Sequence, residues 1–155
     1  MLDYASAAVD TFLLIATNKS ISYAPVPVDG SSTTSRRLSI GPVGNIQAIA
    51  YDPANRSVVW IDNVSDLVQS VAVNGSAQWE YSIPSGINTF SMAYDWFGAH
   101  IFVTETTGFQ IELLTLNGEN VGSLLKLGNN PLSVQKPGEV VFDDVNRCVI
   151  ALSQL

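Results

Sequence analysis

Ala48-Ile49-Ala50-Tyr51-Asp52-Pro53, followed by Val58-Val59-Trp60-Ile61-Asp62, decides the fold of this chain. β-Branched and aromatic residues dominate both runs, which predicts two short strands joined by a tight turn. Apolar side chains fall on both faces of each strand, the pattern of strands buried on two sides. The pair then returns twice. Ser91-Met92-Ala93-Tyr94-Asp95-Trp96 leads to Ile101-Phe102-Val103-Thr104-Glu105, and Glu139-Val140-Val141-Phe142-Asp143-Asp144 leads to Val149-Ile150-Ala151-Leu152-Ser153. The aromatic-Asp steps lie 43 and 48 residues apart, the larger gap being absorbed by a loop from Gly128 to Gly138.

A second set of signals repeats at nearly the same period. Val28-Asp29-Gly30, Val73-Asn74-Gly75 and Leu116-Asn117-Gly118 are hairpin turns, because Asp-Gly and Asn-Gly tolerate positive φ. Each precedes a short strand: Arg37-Leu38-Ser39-Ile40, Trp79-Glu80-Tyr81-Ser82-Ile83 and Leu124-Leu125-Lys126-Leu127. Trp79, Tyr81 and Ile83 alternate with polar residues, so these are outer strands with one face in water. Four short strands repeating at this interval define the blade of a β-propeller. The expected units are 12–40 with three strands, 44–83 and 86–128 with four each, and 129–155 with the two inner strands of a fourth. The expectation is therefore all-β, three to three and a half blades. Such a length cannot close a ring in the ordinary way, so the chain is expected to be a fragment, a partial gene model or one part of a longer ectodomain.

Composition narrows the function classes. The 155 residues are 46% hydrophobic and 14% charged, with a net charge of −7, enough apolar material for a core and the wrong sign for a nucleic-acid or anionic-membrane partner. Arg36-Arg37 is the only adjacent basic pair. The single cysteine, Cys148, excludes an internal disulfide framework and is expected to be a small buried hydrophobe within Cys148-Val149-Ile150-Ala151-Leu152. Phe12 to Ala16 is too short an apolar stretch to span a bilayer and has no basic segment before it. Sequons at Asn18, Asn55, Asn63 and Asn74 all fall at predicted turns or strand ends, which leans towards the secretory pathway.

These residues resemble the low-density lipoprotein receptor class B, or YWTD, repeats. Asn45 to Asp62, ending in Val59-Trp60-Ile61-Asp62, looks like the strand pair that closes on Tyr-Trp-Thr-Asp in that family. Ala93-Tyr94-Asp95-Trp96-Phe97-Gly98 with Phe102-Val103-Thr104-Glu105 is similar to its Asp-Trp-x-Gly segment and a second motif copy. Thr107 to Gly118 and Phe12 to Asn18 resemble a further hairpin and the first strand of such propellers. No copy is complete, and Ile150-Ala151-Leu152-Ser153 has lost both aromatic and acid. The resemblance implies an extracellular or cell-surface glycoprotein, a receptor ectodomain with a propeller of six blades, often followed by a cysteine-rich growth-factor-like (EGF-like) module. It implies protein-ligand binding or scaffolding, with the missing blades supplied by the rest of the chain. It gives Asp52, Trp60, Asp62, Asp95, Gly98 and Glu105 structural roles, the motif acid hydrogen-bonding backbone between blades.

Little in the chain points to catalysis. His100 is the only histidine and reads as a structural one, and neither Ser91 nor Ser153 lies in a nucleophile-elbow context. Neither a metal nor a cofactor is expected. The alternative is a calcium-dependent propeller hydrolase of the lactonase or strictosidine synthase type, which would draw on Glu105, Asn45, Asn88 and Asp95. For ligand binding, the loops after the second strands supply Asn63, Asp66, Thr107 and Phe109, and the adjacent aromatics Trp96 and Phe97 form a second group. Trp96 is expected to pack, at least in part, against a neighbouring blade.

Overall fold

The computed structural model describes residues 11–27, 29, 31–76, 78–84, 86–105, 107, 110–115, 120–126 and 137–153. They form thirteen strands and, among the described residues, no helix. The first sheet is β1 (Phe12–Thr17), β2 (Ser20–Pro25) and β3 (Arg36–Arg37), in that order. The second is β4 (Ile46–Asp52), β5 (Ser57–Asp62), β6 (Leu67–Ala72) and β7 (Gln78–Ser82). The third is β8 (Thr89–Asp95), β9 (His100–Glu105), β10 (Gln110–Thr115) and β11 (Asn120–Lys126). β12 (Pro137–Asp143) and β13 (Cys148–Ser153) pair as a fourth. Every pairing is antiparallel between strands consecutive in sequence, as short hairpin connections dictate.

Strand β5 shows how the sequence sets the layering. Its side chains alternate between faces, and all six residues are buried. Val58 and Trp60 join Ile21, Leu38, Ile46 and Val71 in a core between the first and second sheets. Val59 and Ile61 join Val68, Ile83, Met92, Tyr94, Ile101, Val103 and Leu114 between the second and third. Each such side chain contributes about 1.5–3 kcal/mol when fully buried, so a strand apolar on both faces is stable only between two sheets. The buried indole of Trp60 donates from Nε1 to Gln69 Oε1 at 3.0 Å, so no polar group is left dry. Between the third and fourth sheets, Phe102 and Phe142 stack with centroids 6.4 Å apart. Sheets stacked in chain order, each innermost strand followed outward by the next, make part of a β-propeller.

Two expectations change. The strand Arg37 to Ile40 shrinks to the two residues of β3: the buried Leu38 still donates its N–H to Ile21 O at 2.9 Å, but Ile40 N–H turns back to Leu38 O at 3.1 Å and the ladder ends there. Cys148 is exposed, since β13 pairs only with β12 and that stretch is not covered by another described sheet. The turn at Leu116-Asn117-Gly118 lies outside the described residues, as do Val28 and Gly30.

Candidate functional site at the two ends of the sheets

The registers give every sheet two distinct ends. Ile46 faces Asp62 and Asp52 faces Ser57; Thr89 faces Glu105 and Asp95 faces His100. The loops after β5 and β9 therefore share one end with the connections between sheets, here the loop end. The tight turns β4–β5, β8–β9 and β12–β13 occupy the other, the turn end. A strand of this length separates the two by about 20 Å.

At the turn end an acid closes each hairpin. Asp52 Oδ1 accepts from the N–H groups of Ala54 (2.9 Å) and Asn55 (3.1 Å), and Oδ2 accepts from Asn55 Nδ2 at 2.8 Å. Asp95 Oδ1 accepts from Phe97 and Gly98, both at 3.0 Å. Asp143 repeats the first arrangement with Val145, Asn146 and Asn146 Nδ2. The Asn146 side-chain amide, then the backbone N–H groups of Asn146 and Val145, hold the Asp143 carboxyl below its ordinary value against a small opposing effect of burial. Each turn ends on a residue with positive φ: Arg56 (49°), Ala99 (55°) and Arg147 (55°). The repeat Asp-x-x-Asn/Gly was in the sequence at all three places, but its Asn partners were missed. Gly98 leaves no room for a side chain, because a Cβ there would collide with Asp95 Oδ2 and His100 Nδ1.

Neighbouring turns are tied to one another. Tyr94 Oη donates to Asp52 Oδ2 at 3.3 Å, joining the third sheet to the second. Burial, then the negative charge of Asp52, raises the Tyr94 phenol far above its normal value, so it stays a donor. Phe142 occupies the equivalent place in the fourth sheet without a hydroxyl. There Asp95 has His100 Nδ1 and Arg147 Nη2 each at 3.8 Å instead. Arg147 also lies 4.3 Å above the Phe97 ring, which stacks on Trp96 at 3.5 Å. Trp96 packs on the core between the second and third sheets, whereas Phe97 remains 52% exposed.

At the loop end, Asp62 is buried and binds the loop that enters its sheet. Its oxygens accept from Gly44 (2.6 Å), Asn45 (2.9 Å) and Val64 (3.0 Å). Burial alone would raise this carboxyl, but the N–H groups of Asn45, Gly44 and Val64 outweigh it and hold it below its ordinary value. Glu105, equally buried, accepts from Thr107 N at 2.6 Å. Ser153 closes β13, and its side chain lies outside what is described. A hollow of about 200 Å³ opens beside Asn63, Asp66, Gly86, Asn88 and Thr89. The hydroxyl of the buried Thr89 has no hydrogen-bond partner among the described residues.

The six residues expected to contact a ligand thus divide. Asn63, Asp66 and Thr107 stand at the loop end and Trp96 and Phe97 at the turn end; Phe109 lies outside the described residues. The four residues the hydrolase alternative would need divide as well. Asn45, Asn88 and Glu105 flank strand ends at the loop end, and Asp95 sits at the other. A groove of about 460 Å³ runs along the innermost strands β4, β8 and β12, and its one acid, Glu139, accepts from Ser91 Oγ at 3.0 Å. The sequon residues Asn18, Asn55, Asn63 and Asn74 are all exposed. Asn63 nonetheless bonds Gln47 and Asn45, and Asn74 accepts from Ser76.

No family model matches the chain. Among solved structures it is similar to a chain of a nidogen/laminin complex, at 20% identity and a TM-score of 0.69 over 90% of its length and 52% of that chain. It is also similar to a hydrazine synthase of Kuenenia stuttgartiensis, at 16% identity and 0.61 over 92% of this chain and 39% of that one. A virginiamycin B lyase from Staphylococcus aureus follows at 14% and 0.53, covering 93% and 49%. At these identities the likeness defines the fold, a β-propeller, of which this chain spans about half the length or less.

Proposed function

We propose that this chain is part of an extracellular, receptor-type propeller of the YWTD repeat family that binds a protein ligand or scaffolds neighbouring domains and catalyses no reaction. What supports this most is the use made of its acids. Asp52, Asp62, Asp95, Asp143 and Glu105 are each spent on backbone N–H groups of the loops beside them. Carboxylates held this way stiffen the turns and loops they close, Asp62 and Glu105 those of the loop end, and are poorly placed to collect a cation or shuttle protons. The ligand face of this reading is the loop end, where segments of successive sheets lie side by side around Asn63, Asp66 and Thr107. The nidogen/laminin structure, in which a propeller protein is found in a complex, points the same way. No described helix is long and apolar enough to cross a membrane.

The test uses the chain secreted from a eukaryotic host and an array of purified extracellular protein domains. Capture of an array member is expected, weakened at least tenfold by Asn63→Ala with Asp66→Ala and unchanged by Phe97→Ala. Calcium-dependent hydrolysis of a lactone or small ester by the same preparation, lost in Glu105→Gln, would establish the hydrolase instead.

A further inference from the structure

The hollow of about 200 Å³ at the loop end, between the second and third sheets, is lined by the buried Ile61 and Ile83 and by the partly buried Ile87. Asn63 and Asp66 of the loop after β5 border it, and Gly86, Asn88 and Thr89 bring the chain past it into β8. No described residue lining it is basic. Its size suits one long side chain, not a folded ligand.

Two polar groups of this hollow have no partner. Asp66 is exposed, and among the described residues its carboxylate takes part in no hydrogen bond or ion pair. Asp62 and Glu105, at the same end, differ: both are buried and taken up by backbone N–H groups. The Asp66 backbone is nonetheless fixed, with φ of 53° and its C=O accepting from Ile83 N at 2.7 Å, so the open carboxylate stands on a pinned turn. Thr89 is 5% exposed, and its hydroxyl has no hydrogen-bond partner among the described residues. A buried hydroxyl left unpaired is costly, which makes this a place that a polar occupant completes. Asn63 is held by Gln47 and Asn45 and keeps the rim in shape.

We propose that this hollow seats one lysine side chain of the protein partner, its methylene stem against the three isoleucines and its ammonium at the Asp66 carboxylate and the Thr89 hydroxyl. The assignment rests on the loop end being the face that meets a partner. Lysine combines an apolar stem with a compact head of three donors, the combination that an apolar wall with a few open acceptors requires. An aliphatic side chain would fill the space and leave Asp66 and Thr89 unpaired, whereas an acidic one would be repelled by Asp66. An arginine brings five donors in a rigid fork, more than one carboxylate and one hydroxyl accommodate. The net charge of −7 draws a basic partner towards the chain, and the seat fixes where one of its charges lands.

Surface plasmon resonance on the immobilised full chain tests this with an acetylated and amidated pentapeptide, Gly-Ser-Lys-Ser-Gly, against the same peptide carrying norleucine in place of lysine. The lysine peptide is expected to bind with a dissociation constant of roughly a millimolar and the norleucine peptide at least about tenfold more weakly. Asp66→Asn keeps the shape and tolerates the positive φ, and should weaken the lysine peptide about tenfold or more. Thr89→Val should weaken it about threefold, with circular dichroism unchanged in both variants. Asp144→Asn, at the turn end, removes the same charge and should bind as the parent does. The proposal is overturned if the two peptides bind alike, if Asp144→Asn weakens binding as much as Asp66→Asn, or if the lysine peptide does not bind. Capture of an array protein together with no lysine-peptide binding would overturn the lysine seat and leave the loop face as a binding surface. Lysine-peptide binding lost in Asp66→Asn, with no array protein captured, would support the seat and count against the wider reading.

Discussion

At the loop end three backbone N–H groups, those of Gly44, Asn45 and Val64, end on the Asp62 carboxylate. Asp62→Ala strands those donors and is expected to cost about 3 kcal/mol, read as a lower urea midpoint. The sign of its pH dependence follows from the direction of its shift. The folded-state pKa is below the unfolded one, so the contribution is complete above the ordinary carboxylate range near ~4 and is lost as pH falls through the folded value. The parent should therefore lose stability on acidification in that window more steeply than Asp62→Asn, which has no proton to take up there. Gly44 belongs to the same contact, for a Cβ on it would strike the Val64 side chain. A second prediction concerns Tyr94, whose hydroxyl spans two sheets to reach Asp52. Tyr94→Phe should keep the packing and lose about 1 kcal/mol, measured by chemical denaturation.

Three hairpin turns built alike from different residues show which parts of an element a sequence displays. The acid of each turn was readable as an aromatic-Asp step, and so was the strand that follows it, because burial on two faces demands continuous apolar runs. The two ends of the sheets were not readable as a functional division. Trp96-Phe97 and Asn63-Asp66 look equally loop-like in sequence, and only the pairings of Ile46 with Asp62 and Asp95 with His100 place them at opposite ends. The outer strand of the first sheet was overestimated because Leu38 and Ile40 read as strand, whereas Ile40 N–H turns back to Leu38 O and ends the ladder. The last position of each turn is strained, since a residue with a Cβ at positive φ costs about 1–2 kcal/mol relative to its usual backbone. Ala99→Gly should relieve that strain at 55° and, after the entropy that glycine adds to the unfolded chain, raise stability by about 0.5–1 kcal/mol. One residue earlier the same chemistry runs in reverse: Gly98→Ala should lower stability, because Asp95 and His100 occupy the space. Thermal melts of the two variants should move in opposite directions.

For the molecule as a whole, the successive cores explain why cooperative burial depends on having a sheet on either side. Trp60 and Ile61 in the second sheet are 3% and 0% exposed, whereas Ile150 and Leu152 in the fourth are 51% and 64% exposed. The repeat that made the fold legible carries no information on this difference, because Val58-Val59-Trp60-Ile61 and Val149-Ile150-Ala151-Leu152 are similarly apolar strings. Neighbours decide which is buried. Val141 faces Ile150 across β12 and β13, and Leu152 stands two residues further along the same face, so the three make one apolar strip. Among the described residues no strand pairs with the outer backbone edge of β13 beside it, a combination that favours pairing with another strand. This chain should therefore self-associate at micromolar concentration, seen as a concentration-dependent rise in sedimentation coefficient. Ile150→Lys with Leu152→Lys should return it to a monomer with an unchanged β-sheet circular dichroism spectrum, since neither side chain belongs to the cores around β5. A double variant that still associates would move the contact elsewhere, to the exposed Leu13 and Ile15 of β1. A parent that stays monomeric throughout would mean that the exposed strip and edge are not sufficient to drive pairing.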